Sequence, residues 1–212
     1  MNSDNVFVTV IDADSIIPEI YIGELERKCQ KDNLNIHDFL FCSPHVYSVN
    51  RKESMVLGRA FDTLYSFLHY VTMHSFSKIS FPISNYTISY KTLKEINFND
   101  VHQDCIAEDC HLTLKAISET KGRLSVIPIY TFSNQMNLVG GKSFFEECKS
   151  KFWQEERHQR GVLEISYAFK NVVNSNFRNK NIIMSFLSVL HVYLDQVAAL
   201  WFTSFIICQF VL

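Results

Sequence analysis

The sequence predicts an α/β fold: a mixed sheet flanked by helices, followed by a C-terminal hydrophobic helix. Three observations carry this. Residues 6–11 (VFVTVI) form an unbroken apolar, β-branched run. An acidic turn, Asp12-Ala13-Asp14-Ser15, follows it and leads into an amphipathic helix. Strand and helix patterns then alternate along most of the remaining chain.

A run of apolar and β-branched residues without charge is the pattern of a central strand in a parallel sheet covered on both faces. Pro18 opens the first helix, whose apolar face runs Ile17, Tyr21, Leu25, Cys29. Sheets of this class bind ligands beyond the carboxyl ends of their strands, where the acidic turn lies. A longer helix is expected over 53–75, with Val56, Ala60, Leu64, Phe67 and Val71 on one side. Its aromatic content (Phe61, Tyr65, Phe67, Tyr70, with Phe76 and Phe81 beyond) reads either as core or as a surface lying on membrane or an apolar partner. Residues 87–91 read as a strand, 108–121 as a helix, and 123–132 as a strand placed near an edge by Pro128. Gly140-Gly141 marks a loop before a helix with Phe145, Cys148 and Phe152 as its buried stripe.

Composition narrows the class. The chain has 212 residues, 47% of them hydrophobic and 20% charged, enough to bury a sizeable core. Its 20 basic residues are balanced by 22 acidic ones, which argues against an affinity resting on nucleic-acid phosphates. The six cysteines form no CxxC pair and no regular framework, and no basic n-region precedes an apolar segment at the start. Cys105, Cys110 and His111 lie close together but fit no common zinc spacing. The apolar excess sits at the end: between Ile182 and Leu212 only Asp195 is formally charged. This divides the chain into a domain over 1–177 and a membrane-associated segment over 178–212. A transmembrane helix is expected over about 194–212, with Asp195 at the interface; a re-entrant or interfacial helix, or a buried core helix, is the alternative. If that segment spans, the flanking Arg178 and Lys180 place the preceding domain on the cytoplasmic side.

Three groups of residues could do chemistry. Asp12 and Asp14 are spaced i, i+2 after a strand, so both carboxylates can converge on one Mg²⁺ or Mn²⁺; a solvated turn is the alternative. Glu108 and Asp109 stand at a helix start, where carboxylates either complement the helix dipole or serve as a general base. Gln154, Arg157 and His158 share one helix face, either solvated or arranged so that Arg157 grips a diphosphate and the imidazole packs on a sugar.

Taken in order, DAD, ED and QEERH resemble the DxD, ED and QxxRW motifs of family 2 glycosyltransferases. The blocks DADSIIPEIYIGELERK, SNYTISYKTLKEIN, AEDCHLTLKA, FSNQMNLVGG and KFWQEERHQRGVLEISYAF resemble successive blocks of the membrane-associated, processive-type branch. The resemblance covers roughly 6–169 and implies a GT-A-like fold. It implies that Asp12 and Asp14 bind the donor diphosphate through Mg²⁺ or Mn²⁺, Asp14 more directly. Asp109, with Glu108 beside it, would be the base that deprotonates the acceptor hydroxyl. Gln154, Arg157 and His158 would bind the donor diphosphate and the acceptor, with His158 offering a smaller ring than the family's usual Trp. The implied reaction is inverting sugar transfer from a nucleotide-diphosphate-sugar to a saccharide or lipid-linked acceptor, at a membrane and without nucleic acid. The family's nucleotide-binding strands begin well upstream of DxD, whereas Asp12 lies close to Met1, so a partial GT-A fold lacking those strands is expected. Two other readings remain: an inactive, truncated copy acting as a membrane or interaction protein, and a phosphate-transfer enzyme using Asp12 as nucleophile.

Overall fold

The computed structural model describes residues 6–31, 35–43, 45–50, 52–53, 56–73, 81–82, 85–98, 107–136 and 143–211. Its strands are β1 (Phe7–Ile11), β2 (Ser15–Ile16), β3 (Phe39–Cys42), β4 (His45–Ser48), β5 (Asn85–Ser89), β6 (Ser125–Pro128) and β7 (Ser133–Gln135). Its helices are α1 (Ile20–Lys31), α2 (Val56–Met73), α3 (Tyr90–Glu95), α4 (Glu108–Glu119), α5 (Phe144–Gln159), α6 (Leu163–Asn174) and α7 (Lys180–Val211). A four-stranded mixed sheet has the order β1-β5-β3-β6, with β5 antiparallel to both β1 and β3, and β6 parallel to β3. A three-stranded sheet, β2-β7-β4, stands beside it.

Alternation along the strands divides the larger sheet's side chains between two cores. Phe7, Phe39, Phe41, Ile127 and Ile129 pack with Tyr21 and Leu25 of α1. Val8, Leu40, Cys42, Ile88 and Val126 face the other way and join Leu112, Leu114, Ile117, Ala168, Val172, Ile182 and Val189 from α4, α6 and α7. Helices therefore cover both faces of the mixed sheet, as expected. Complete burial of a side chain such as Phe41 stabilises by about 1.5–3 kcal/mol. A buried hydroxyl chain ties α1 to the sheet: Tyr21 Oη lies 2.7 Å from Thr87 Oγ1, which lies 2.9 Å from Thr9 Oγ1.

Several expectations need correction. The 6–11 run is an edge strand in an antiparallel pairing, not a central parallel one, and Val10 and Ile11 are 39% and 44% exposed. An apolar and β-branched run reports a tolerance for burial and carries no information about which edges are paired. The strand expected over 87–91 ends at Ser89, because the Ser89 side chain accepts a hydrogen bond from Thr92 N and starts α3. On α2, Gly58, His69 and Met73 are buried, whereas Phe67 is 62% exposed and Val71 is exposed too. Asp62, on the buried side of that helix, accepts a hydrogen bond from Ser48 N of β4 at 3.3 Å. Packing against β4, rather than the most apolar stripe, sets the orientation. Phe152, expected in the buried stripe of α5, is 65% exposed; the Phe145 and Cys148 side chains, Gly140-Gly141 and Cys105 lie outside the described residues. β6, with Pro128, does lie at an edge.

The C-terminal helix differs most. It begins at Lys180, fourteen residues before the expected 194. Asn179 caps it, with Oδ1 accepting from Asn181 N at 3.0 Å and Ile182 N at 3.2 Å. That cap sits in the turn leaving α4: Asn179 Nδ2 donates to Lys121 O at 2.6 Å, and Asn181 Nδ2 donates to Gly122 O. Gly122 adopts a φ of 75°, and a Cβ there would overlap the Asn179 amide. Ile182, Ser185, Val189 and Tyr193 form a buried stripe against α4 and α6. The first part of the segment taken for a membrane attachment is therefore core. Among the described residues no helix is long and apolar enough to cross a membrane, and the Asp195 side chain lies outside them.

Candidate active site

The acidic turn leaves the end of β1 and is held from two sides. Ser15 N donates to Asp12 O at 3.0 Å, closing the turn, and Met136 N donates to Asp14 O at 3.0 Å. β2 pairs with β7 through Ser15↔Gln135 and Ile16↔Asn134, so the FSNQM block lies against the DAD block. Both Asp12 and Asp14 side chains are exposed. Fixed backbone with free carboxylates is the arrangement a ligand-binding turn requires.

Glu108 and Asp109 occupy the first turn of α4. Glu108 is exposed, while Asp109 is half-buried and accepts a hydrogen bond from Cys110 N at 2.7 Å. The same helix is buried from Leu112 to Ile117, which anchors its first turn to the core. Carboxylates at this end are stabilised by the helix dipole.

Both acidic groups bear electrostatically on Tyr86. This residue of β5 pairs with Val10, and it is 5% exposed on the sheet face that α4 covers. Its phenol is pushed up to about 12, by burial first and then by the negative charges of Asp109, Glu108 and Asp12 in turn. Carboxylates from the end of β1 and from the start of α4 thus act on one side chain, although they are far apart in sequence.

Gln154 and Arg157 lie on α5, Gln154 half-buried and Arg157 exposed; the His158 side chain lies outside the described residues. The exit from α5 reaches the ED turn. A 3₁₀ turn over Arg160–Val162 carries the buried Gly161. A Cβ on Gly161 would overlap Tyr193 Oη of α7 and come within 3.1 Å of Ala107 Cβ, the residue preceding Glu108. Close by in sequence, His111 Nδ1 of α4 meets Glu164 Oε2 of α6 at 2.8 Å, with the His111 ring stacked 4.5 Å from that of Tyr167.

The DAD turn follows the strand that pairs with β5, the strand carrying Tyr86, and the segment carrying QEERH returns to the ED turn through Gly161. Tyr86, Gly161, Glu164 and Tyr193 belong to none of DAD, ED and QEERH, and His111 stands out in the sequence only for its closeness to Cys105 and Cys110. Tyr86 does lie inside the SNYTISY block, where its alternation with Thr87 would have placed it on the opposite sheet face.

The residues available for a cation are the two exposed carboxylates of the DAD turn. Among the described residues no three His, Cys, Asp or Glu side chains gather closely enough to cage a metal. A cation held at the DAD turn would have at most these two carboxylates, a donor set that suits Mg²⁺ or Mn²⁺ with water and substrate phosphate as further ligands and does not suit a closed structural site.

Among curated proteins none matches the chain closely enough to count as a relative. The family model described as glycosyl transferase family group 2 matches residues 7–212, nearly the whole chain. With its motifs in order along a mixed α/β fold, the chain belongs to the family 2 group of glycosyltransferases, enzymes that move a sugar from a nucleotide-sugar donor to an acceptor.

Proposed function

We propose that the chain carries out inverting sugar transfer from a nucleotide-diphosphate-sugar to an acceptor hydroxyl, with Asp109 as the base. The observation that supports this is that the ED turn and the DAD turn both act electrostatically on the buried Tyr86, Asp109 and Glu108 more than Asp12, while β1, which leads into the DAD turn, pairs with the strand that carries Tyr86. Asp109 removes the acceptor proton as the acceptor oxygen bonds to the anomeric carbon. The bond from that carbon to the diphosphate oxygen breaks, and the nucleoside diphosphate leaves from the opposite face with configuration inverted. Glu108 borders the base. Arg157 binds the leaving diphosphate by charge-assisted hydrogen bonds, Gln154 supplies an amide beside it, and His158 offers a ring to the acceptor. Asp12 and Asp14 would hold a Mg²⁺ or Mn²⁺, which supplies charge neutralisation at the diphosphate when bound.

The processive-type, membrane-associated branch is part of this reading, with a saccharide or lipid-linked acceptor. Its support is the motif series together with exposed Leu187, Leu194 and Val197 on α7 and exposed Phe169, Val173 and Phe177 on and after α6. We place these apolar surfaces at the cytoplasmic face of a membrane, in contact with it rather than through it.

Transfer from a panel of radiolabelled nucleotide-sugars, with Mn²⁺ or Mg²⁺, tests the reading. Asp109→Asn is expected to reduce turnover by roughly 10²–10⁴-fold while calorimetric binding of the nucleoside diphosphate persists. Full turnover in that variant would remove the base assignment. Metal-independent binding, or none, would count for the inactive-copy reading.

A further inference from the structure

We infer that the contact of Gly161 with Tyr193 and Ala107, together with the His111–Glu164 pair, positions the ED turn relative to the QEERH helix. The inference rests on the proposed function for its catalytic meaning, though its geometry stands independently.

The two contacts are separate and act on the same turn of α4. Gly161 lies just beyond α5, and only the absence of a side chain lets the Tyr193 hydroxyl and Ala107 approach it. Ala107 is the N-cap of α4 and directly precedes Glu108. One turn into that helix, His111 is held by Glu164, whose side chain is 9% exposed and belongs to the helix that follows Gly161. The base-bearing turn is therefore fixed at its cap and at its first full turn by the segment that carries Arg157. α7 joins as the third wall, through Tyr193. Reacting groups held on different elements lose rate steeply when displaced by about 1 Å. A glycine contact at the junction is a direct means of setting that distance.

Gly161→Ala drives a methyl into the Tyr193 hydroxyl, and Tyr193→Phe removes that hydroxyl. The full chain carrying Gly161→Ala, Tyr193→Phe or both is compared by amide hydrogen exchange and by the transfer assay. In Gly161→Ala, exchange over 108–112 is expected to rise about tenfold while α1, on the opposite sheet face, keeps its protection. Turnover is expected to fall about ten- to a hundredfold with the donor KM within about twofold. Both effects should largely reverse in the double variant. Unchanged exchange over 108–112, uniform loss across the chain, or no recovery in the double variant would overturn the inference. If the unmodified chain transfers no sugar, the proposed function fails, and the exchange pattern still decides whether the junction holds the turn.

Discussion

Replacing Gly122 by alanine tests whether α7 is anchored as the structure has it. Gly122 sits at a φ of 75°, a region that costs an L-residue about 1–2 kcal/mol. The new methyl would also displace the Asn179 amide, which caps α7 and binds Lys121 O. Loss of an asparagine cap costs about 0.5–2 kcal/mol. The expected total is about 2–3 kcal/mol, or roughly 4–12 °C in Tm for a chain of this size. Denaturant unfolding of Gly122→Ala, Asn179→Ala and the double variant measures it. Both substitutions remove the same cap, so the double variant should match Gly122→Ala and fall about 1 kcal/mol short of additivity. A cost below about 0.5 kcal/mol for Gly122→Ala, or strict additivity, would show that the turn after α4 does not seat α7.

Tyr21 and Tyr86 are both raised from 10.0 to about 12, chiefly by burial, so the unfolded chain releases their protons first. Their stabilisation is full below pH 10 and is lost between pH 10 and about 12, on the order of 2–3 kcal/mol for each. Alkaline unfolding should show that loss, and Tyr21→Phe should remove one share of it. Asp109→Asn should lower the Tyr86 pKa, read by ultraviolet phenolate titration; an unchanged value would separate the ED turn from Tyr86. Phe41→Ala empties a fully buried position flanked by Phe7 and Phe39 and should cost about 3–5 kcal/mol in denaturant unfolding. Glu164→Gln, which can still accept from His111, should keep more transfer activity than Glu164→Ala, a contrast that a purely space-filling Glu164 would not give.

Tyr86 shows how the fold makes a site from dispersed segments. β5 pairs with β1, so Tyr86 comes beside Val10, just before the DAD turn. The alternation of β5 then sends Thr87 to Tyr21 on one face and Tyr86 to the α4 face on the other. Pairing and pleat together set a buried phenol in the field of carboxylates from two elements.

The chain's periodicities and motif order are local properties, and they were legible directly: β1, α1 with Tyr21 and Leu25 buried, α4 beginning at Glu108, Pro128 on an edge strand, and the family itself. Hydrophobic pattern states which residues can be buried, not which neighbour buries them. That is why the run ending at Ile11 proved to be an edge strand, and why α2 turned Phe67 outward to seat Gly58 and Met73. The tail shows the same limit. Its composition reads as membrane-seeking from end to end, yet the Asn179 cap, held by the turn at Gly122, starts the helix at Lys180 and sends Ile182, Val189 and Tyr193 into the core. Apolar transfer is non-directional, so lipid and protein interior satisfy the same side chains; only the tertiary contacts, made by distant polar groups with fixed geometry, choose between them.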